Sequence, residues 1–252
     1  MPAHPSSIPG PLFYTESLPD TVVPGFPLSV HGEEAHHAVR VRRIRAGEQV
    51  SVGDGHGRVA TGPVVAATPD HFEIEVAVVR VQEPQVPELV LAQALAKGDR
   101  DELAIQAATE VGIDRVVPWQ AQRSISQWRA EKAEKNRQRW QAIVREASKQ
   151  SLRARIPSVT GVTDTPGLCH QADTLILLDP EASLSLSEAV ARHRGSGSIM
   201  FVIGPEGGVS AAERELLVAA GAVPAVLGRT VLRTSTAGPV ATALAQQVLG
   251  RW

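Results

Sequence analysis

Residues 201–210, FVIGPEGGVS, pass from an apolar run directly into a proline, an acid and three glycines. Main chain so poor in side chains lets a ligand approach peptide groups, so the stretch suggests a pocket built from backbone. A second such stretch, 227–238 (LGRTVLRTSTAG), adds small polar residues and two arginines. Neither is a phosphate loop, because no Gly-Lys-Ser/Thr follows, and neither has the spacing of a dinucleotide-binding turn. A tight turn that merely joins two elements is the plain alternative for one glycine cluster. Two at successive strand ends on one edge of a sheet describe a cavity. Other reactive types are scattered: His36 and His37 have no second cluster at ligand spacing, so no metal is expected, and Cys169 beside His170 reads as an incidental thiol.

The elements that must position these loops are legible in the apolar pattern. Strand-like runs at 88–95, 115–119, 174–179, 198–204 and 222–228 alternate with helix-patterned segments at 99–112, 129–151, 210–220 and 236–250. Continuous apolar strands separated by helices predict a parallel sheet covered on both faces, hence an α/β fold. Ser210 to Glu213 (SAAE) is a capping-box signature that starts the third helix just past the glycines. Upstream, 48–65 and 71–81 are β-type runs broken by Gly-Asp-Gly-His-Gly and Thr-Pro-Asp, which predicts hairpins in a small barrel or sandwich. The two regimes meet in a linker at 83–88 (EPQVPE), giving a β domain over 1–82 and an α/β domain over 83–252.

Composition bounds the partners. The 252 residues, 43% hydrophobic, can build one large core or two modest ones. One cysteine excludes an intramolecular disulfide framework and a multi-cysteine zinc site. No window approaches 18 consecutive apolar residues and the N-terminus lacks a basic region followed by an apolar core, so a cytoplasmic address and no membrane partner are expected. Net charge is only -2, yet from Arg123 to Arg155 ten Lys/Arg face three Glu, and Arg40, Arg42, Arg43 and Arg45 form a second group. A solvated helix face accounts for one such run; two basic groups on two domains suit a folded RNA, with Arg123, Lys149 and Arg155 as further phosphate contacts.

The motifs themselves carry a resemblance. GPEGGVSAAE followed by LGRTVLRTSTA resembles the C-terminal signature of the SPOUT superfamily, S-adenosylmethionine-dependent RNA methyltransferases whose loops form a deep trefoil knot around the cofactor. KGDRDELAIQAATEVGI (97–113) and REASKQSLRARIPSV (145–159) resemble segments of the 16S rRNA uracil-N3 methyltransferases, and HAVRVRRIRAGEQVSVGDGHG (37–57) resembles their N-terminal PUA-like RNA-binding β-barrel. The match runs in order over nearly the whole chain. It implies a knot that pattern and spacing do not, since knotted chains are almost absent among proteins. It also implies a homodimer, with the apolar segment 239–249 as one candidate surface and a core helix as the other reading.

Transferred to this chain, the resemblance implies S-adenosylmethionine contacts from Leu178, from Ile203, Gly204, Pro205, Gly207 and Gly208, and from Leu227, Gly228, Leu232, Thr234, Ser235 and Thr236. Uracil N3 carries a proton at neutral pH, so the site must help it leave or stabilise charge on O2 and O4. Arg233 and Arg153 are the candidate donors, with an ion pair or a phosphate contact as their plain alternatives. Glu206 is a candidate base or a holder of a donor, or simply an acid favoured by a helix dipole. The target uridine must be unpaired or flipped to expose N3, and the implied substrate is 16S rRNA within the assembled 30S subunit. Departures are few. Ser235 stands where the family usually has Glu, and Lys149 and Leu152 where Glu and Gly are common. A serine is acceptable if that loop binds through its backbone; if the acid is the essential base, the protein is impaired or is a non-catalytic RNA-binding or ribosome-assembly protein. The same fold acting on another RNA base is the remaining alternative.

Overall fold

The computed structural model describes residues 8–129 and 131–252. The chain forms two units: one comprises the chain up to Pro84 together with Ser148–Ile156, the other Gln85–Ala147 and Pro157–Trp252.

In the first unit, alternation of apolar and polar residues builds β1 (Leu12–Tyr14), β2 (Pro27–His31), β3 (Gln49–Gly53), β4 (Arg58–Thr68), β5 (His71–Glu75) and β6 (Val78–Val81). Their order is β1-β3-β4-β5-β2, with β6 also on β4. In β2 only Leu28 and Val30 turn inward, as a period of two demands, and they meet Phe13, Val50, Val52, Phe72 and Ile74 in one core. Between β2 and β3, the short helix α1 (Glu33–His36) runs into a π-helical turn at His37–Val41. The segment Ser148–Ile156 completes this unit: Ala154 and Ile156 pack with Leu12, Tyr14 and Val59. Ile156 N–H donates to the Gly55 carbonyl at 2.9 Å, and the Tyr14 hydroxyl donates to the Arg153 carbonyl at 2.6 Å. A single boundary at 83–88 does not contain this return of the chain, because 148–156 has no linker composition.

The second unit has the α/β architecture that the apolar runs imply. Its strands are β7 (Glu88–Ala94), β8 (Arg115–Trp119), β9 (Ser158–Val159), β10 (Thr174–Leu178), β11 (Ser198–Ile203) and β12 (Val223–Ala225). All pair in parallel, in the order β12-β10-β11-β7-β8-β9. The helices are α2 (Arg100–Val111), α3 (Glu131–Gln150), α4 (Thr165–Leu168), α5 (Leu186–Ala191), α6 (Ala211–Ala219) and α7 (Thr234–Val248). One face of the sheet, with Val90, Ala92, Val117, Leu177 and Val202, is covered by Leu168 of α4 and Leu217 of α6. The other is covered by α7, which lies so close to β7 that a Cβ at Gly238 would come within 3.0 Å of Leu91 Cδ1. Both faces are therefore buried, which is why β11 reads as an unbroken apolar run rather than an alternating one.

Candidate functional site

Because β12, β10 and β11 are parallel neighbours, the chain leaves their carboxyl ends at one edge and the three loops converge. They enclose a cavity of about 640 Å³. Its wall is Leu178 at the end of β10 and Asp179 after it, Ile203 at the end of β11 with Gly204, Pro205, Glu206 and Gly208 after it, and Val226, Leu227 and residues 230–233 between β12 and α7, with Thr234 at the start of α7. Such a volume suits a nucleoside-sized ligand.

Local sequence fixes the glycine loop. Gly208 N–H donates to the Pro205 carbonyl at 2.9 Å, and Gly208 sits at φ +71°, a conformation that L side chains rarely adopt. Ser210 then caps α6: its hydroxyl accepts from Glu213 N–H while the Glu213 carboxylate accepts from Ser210 N–H at 3.1 Å. Glu213, only 7% exposed, also accepts from Gln122 N–H and the Thr165 hydroxyl, each at 2.8 Å. Burial opposes its charge, yet these hydrogen bonds prevail and hold the carboxyl below its ordinary pKa. The loop after β8 is thereby pinned beside the glycine loop, and Arg123 Nη1 donates to the Gly207 carbonyl at 2.9 Å. The second loop is tied to the first through Thr234, whose hydroxyl donates to the Gly204 carbonyl at 2.9 Å and accepts from Gln93 Nε2 at 2.8 Å.

The donor set fits an S-adenosylmethionine-type ligand. From Leu227 to Leu232 the main chain makes no hydrogen bond with another described residue, so its amides and carbonyls are open to a ligand. Apolar side chains of Leu178, Ile203, Val226, Leu227 and Leu232 supply flat contact for a base. Asp179 Oδ2 accepts from Arg214 Nε at 2.7 Å on the same wall.

Of the residues expected to hold the cofactor, Leu178, Ile203, Gly204, Pro205, Gly208, Leu227, Leu232 and Thr234 lie on this wall. Gly207, Gly228, Ser235 and Thr236 are outside it; Gly207 packs against Arg123, and a Cβ at Gly228 would meet nothing within 4 Å. Arg233 and Glu206 are both on the wall. The Arg233 guanidinium is exposed and makes no ion pair or hydrogen bond with another described residue. Glu206 Oε1 accepts from Arg100 Nη1 at 3.0 Å and from Lys97 N–H at 3.3 Å, so it holds a donor in place. Arg153 belongs to the first unit, where its carbonyl takes the Tyr14 hydroxyl.

The basic residues divide similarly. Arg40, Arg42, Arg43 and Arg45 are all exposed around the π-helical turn, with Arg43 at φ 56°. Lys149 is buried, 8% exposed, and pairs with Glu34 at 2.9 Å, so it is not displayed to a phosphate. Arg155 braces the first unit by donating to the Gln82 carbonyl at 2.9 Å, and Arg123 is engaged by the glycine loop. Arg100, Asp179 and Arg214 are wall residues that the sequence reading omits. The available signal for Arg100 was its position, since KGDR directly follows the carboxyl end of a strand.

These features define a class: residues 82–246 match the RNA methyltransferase domain and residues 30–77 the RNA methyltransferase PUA domain. The chain is 42% identical over 248 residues to ribosomal RNA small subunit methyltransferase E of Mycobacterium bovis, covering 96% of this chain and 93% of that one. It is 34% identical to the Bacillus subtilis protein of that name, over 83% and 85% of the two chains. Among solved structures, a ribosomal RNA small subunit methyltransferase E from Neisseria gonorrhoeae bound to S-adenosyl methionine superposes with a TM-score of 0.80 at 28% identity, covering 95% and 97%. The chain belongs to the ribosomal RNA small subunit methyltransferase E family.

Proposed function

We propose that this protein methylates N3 of a uridine in 16S rRNA, position 1498 in standard rRNA numbering, using S-adenosylmethionine. The observation that carries the reading is the cavity beyond three neighbouring strand ends, walled by main-chain groups without a partner among the described residues. Those groups at residues 227–232 would hold the cofactor's nucleoside, with Ile203, Gly204 and Pro205 opposite. When bound, S-adenosylmethionine supplies a methyl group activated by a sulfonium. The transfer forms the N3–carbon bond, breaks the carbon–sulfur bond with its electron pair going to sulfur, and releases the N3 proton to water. Alignment near contact distance supplies most of the rate, and Arg233 stabilises charge growing on the acceptor. Ser235 is then a tolerated replacement, because the loop serves through its backbone.

The same proposal includes the assembled 30S subunit as substrate, a knotted crossing of the two loops, a homodimer, cytoplasmic action and no metal. Calorimetry with S-adenosylmethionine, then tritium transfer to 30S subunits lacking the modification, tests it. Label in another base moves the substrate; no cofactor binding favours an RNA-binding or assembly protein. Sedimentation at the monomer mass would remove the dimer. At 100 times its dissociation constant, S-adenosylhomocysteine should stabilise the fold by about 2.7 kcal/mol.

A further inference from the structure

The cofactor cavity does not end at Glu206. Along the sheet edge, β11 is followed by β7 and β8, and beyond their carboxyl ends lies a second space of about 450 Å³, lined by Lys97, Gly98, Asp99, Arg100, Ile125 and Glu206. Arg100 and Glu206 line both spaces. Their ion pair, 3.0 Å between Nη1 and Oε1, thus borders both spaces at the edge where they meet. A methyl group can pass between two ligands only if their reacting atoms touch, so the acceptor must occupy a space that shares a wall with the donor's.

We propose that this second space seats the acceptor pyrimidine, and that Arg100 is the donor that faces its carbonyl oxygens; the proposal rests on the methyltransferase reading above. Four features support it. Ile125 is 68% exposed at the mouth, an apolar surface of a kind on which a flipped base can lie. Glu206 is anchored by the Lys97 amide as well as by Arg100, so the guanidinium is held in place before any ligand arrives. Arg100 has further N–H groups beyond the one given to Glu206, and its side chain is 47% exposed. Lys97 adds a second cation at this mouth, with no ion-pair partner among the described residues. When N3 loses its proton, negative charge spreads onto O2 and O4, and a fixed guanidinium beside them favours that state.

The test separates the two readings. Ile125 lines the second space but not the first, so Ile125→Trp should bind S-adenosylhomocysteine within about twofold of the parent while methyl transfer to 30S subunits falls by about 100-fold. Arg100→Ala should lower kcat by a similar factor, with Arg100→Lys recovering part of it. A third readout is independent of turnover. With S-adenosylhomocysteine present, 30S subunits carrying 4-thiouridine at the target position should photo-crosslink to residues 97–100 or 125. Full transfer by Ile125→Trp, or crosslinks confined to other segments, overturns the subsite while leaving the methyltransferase reading intact. A parent protein that binds S-adenosylhomocysteine but labels no uridine overturns both.

Discussion

Two side chains at the sheet edge show how placement decides role. Arg233 and Arg100 both line the cofactor cavity; Arg100 is oriented by one N–H to Glu206 and keeps its others open, whereas the Arg233 guanidinium has no described partner. Arg233→Ala should therefore lower turnover by about 100-fold with little change in cofactor affinity; single-turnover rates and calorimetry on the same variant check this, and an unchanged rate makes Arg233 structural. Asp101, 6% exposed in the first turn of α2, has its carboxyl pushed up to about 6, chiefly by burial, against hydrogen bonds from the Ala96 and Glu102 amides. Its folded pKa lies above the unfolded one, so stability is highest below about pH 4 and declines as pH rises through about 6. Asp101→Asn should raise the unfolding free energy relative to the parent more at pH 7.5 than at pH 4, by on the order of 1 kcal/mol after solvent screening, read from urea midpoints at the two pH values. Equal differences at both pH values would contradict the burial argument.

At the scale of elements, helix ends carry as much of the fold as helix bodies. Helix α2 stops at Gly112, φ 114°, where Ile113 N–H returns to the Ala108 carbonyl at 2.9 Å and the Gln246 side chain of α7 donates to the Gly112 carbonyl at 3.0 Å. A Cβ there would collide with that same Gln246 amide. Gly112→Ala should cost about 2 kcal/mol from backbone handedness and the lost anchor, read as a lower urea midpoint; an unaltered midpoint would mean that α7 is held elsewhere. Helix α3 ends in the same geometry with Leu152 at φ 54° in the place that glycine prefers, Arg153 N–H reaching the Ser148 carbonyl at 2.9 Å. The departure from glycine noted in the sequence left the turn intact.

What the sequence disclosed follows from the same physics. Four of the five apolar runs and the four long helices are where the apolar pattern puts them, because a strand buried on both faces and a helix of three turns each repeat their signal; of the run at 222–228 only Val223–Ala225 is strand, and its far end turns into the cavity loop. Two-residue β9 and four-residue α4 cannot show a period, though Ser185 and Glu188, which form a capping box, would have announced α5. The glycine loop was legible because backbone chemistry needs glycine. Arg100 offered only its place after a strand end, which does not suffice, because nothing local tells which strand ends lie side by side. Lys149 was misjudged for a related reason: a cation within a basic run looks solvated until its partner, Glu34, arrives from 115 residues away.

For the molecule as a whole, charge works by position rather than by sum. A chain with net charge -2 still presents Arg40, Arg42, Arg43 and Arg45 together on one turn. Replacing Arg42 and Arg43 by Ala should weaken binding to 30S subunits and flatten the slope of log affinity against log salt by about 1 to 2. An identical slope in filter binding would move the RNA to another surface.

The return of Ser148–Ile156 into the first unit bears on how this protein can be taken apart or built up. The polypeptide passes from one unit to the other three times, after Pro84, after Ala147 and after Ile156, so no single cut yields two complete halves. A fragment beginning at Gln85 would keep the parallel sheet but strand nine residues whose packing partners, Leu12, Tyr14 and Val59, had been removed with the other piece. During synthesis the β unit likewise waits for its last strip of wall until the ribosome has delivered more than half of the chain.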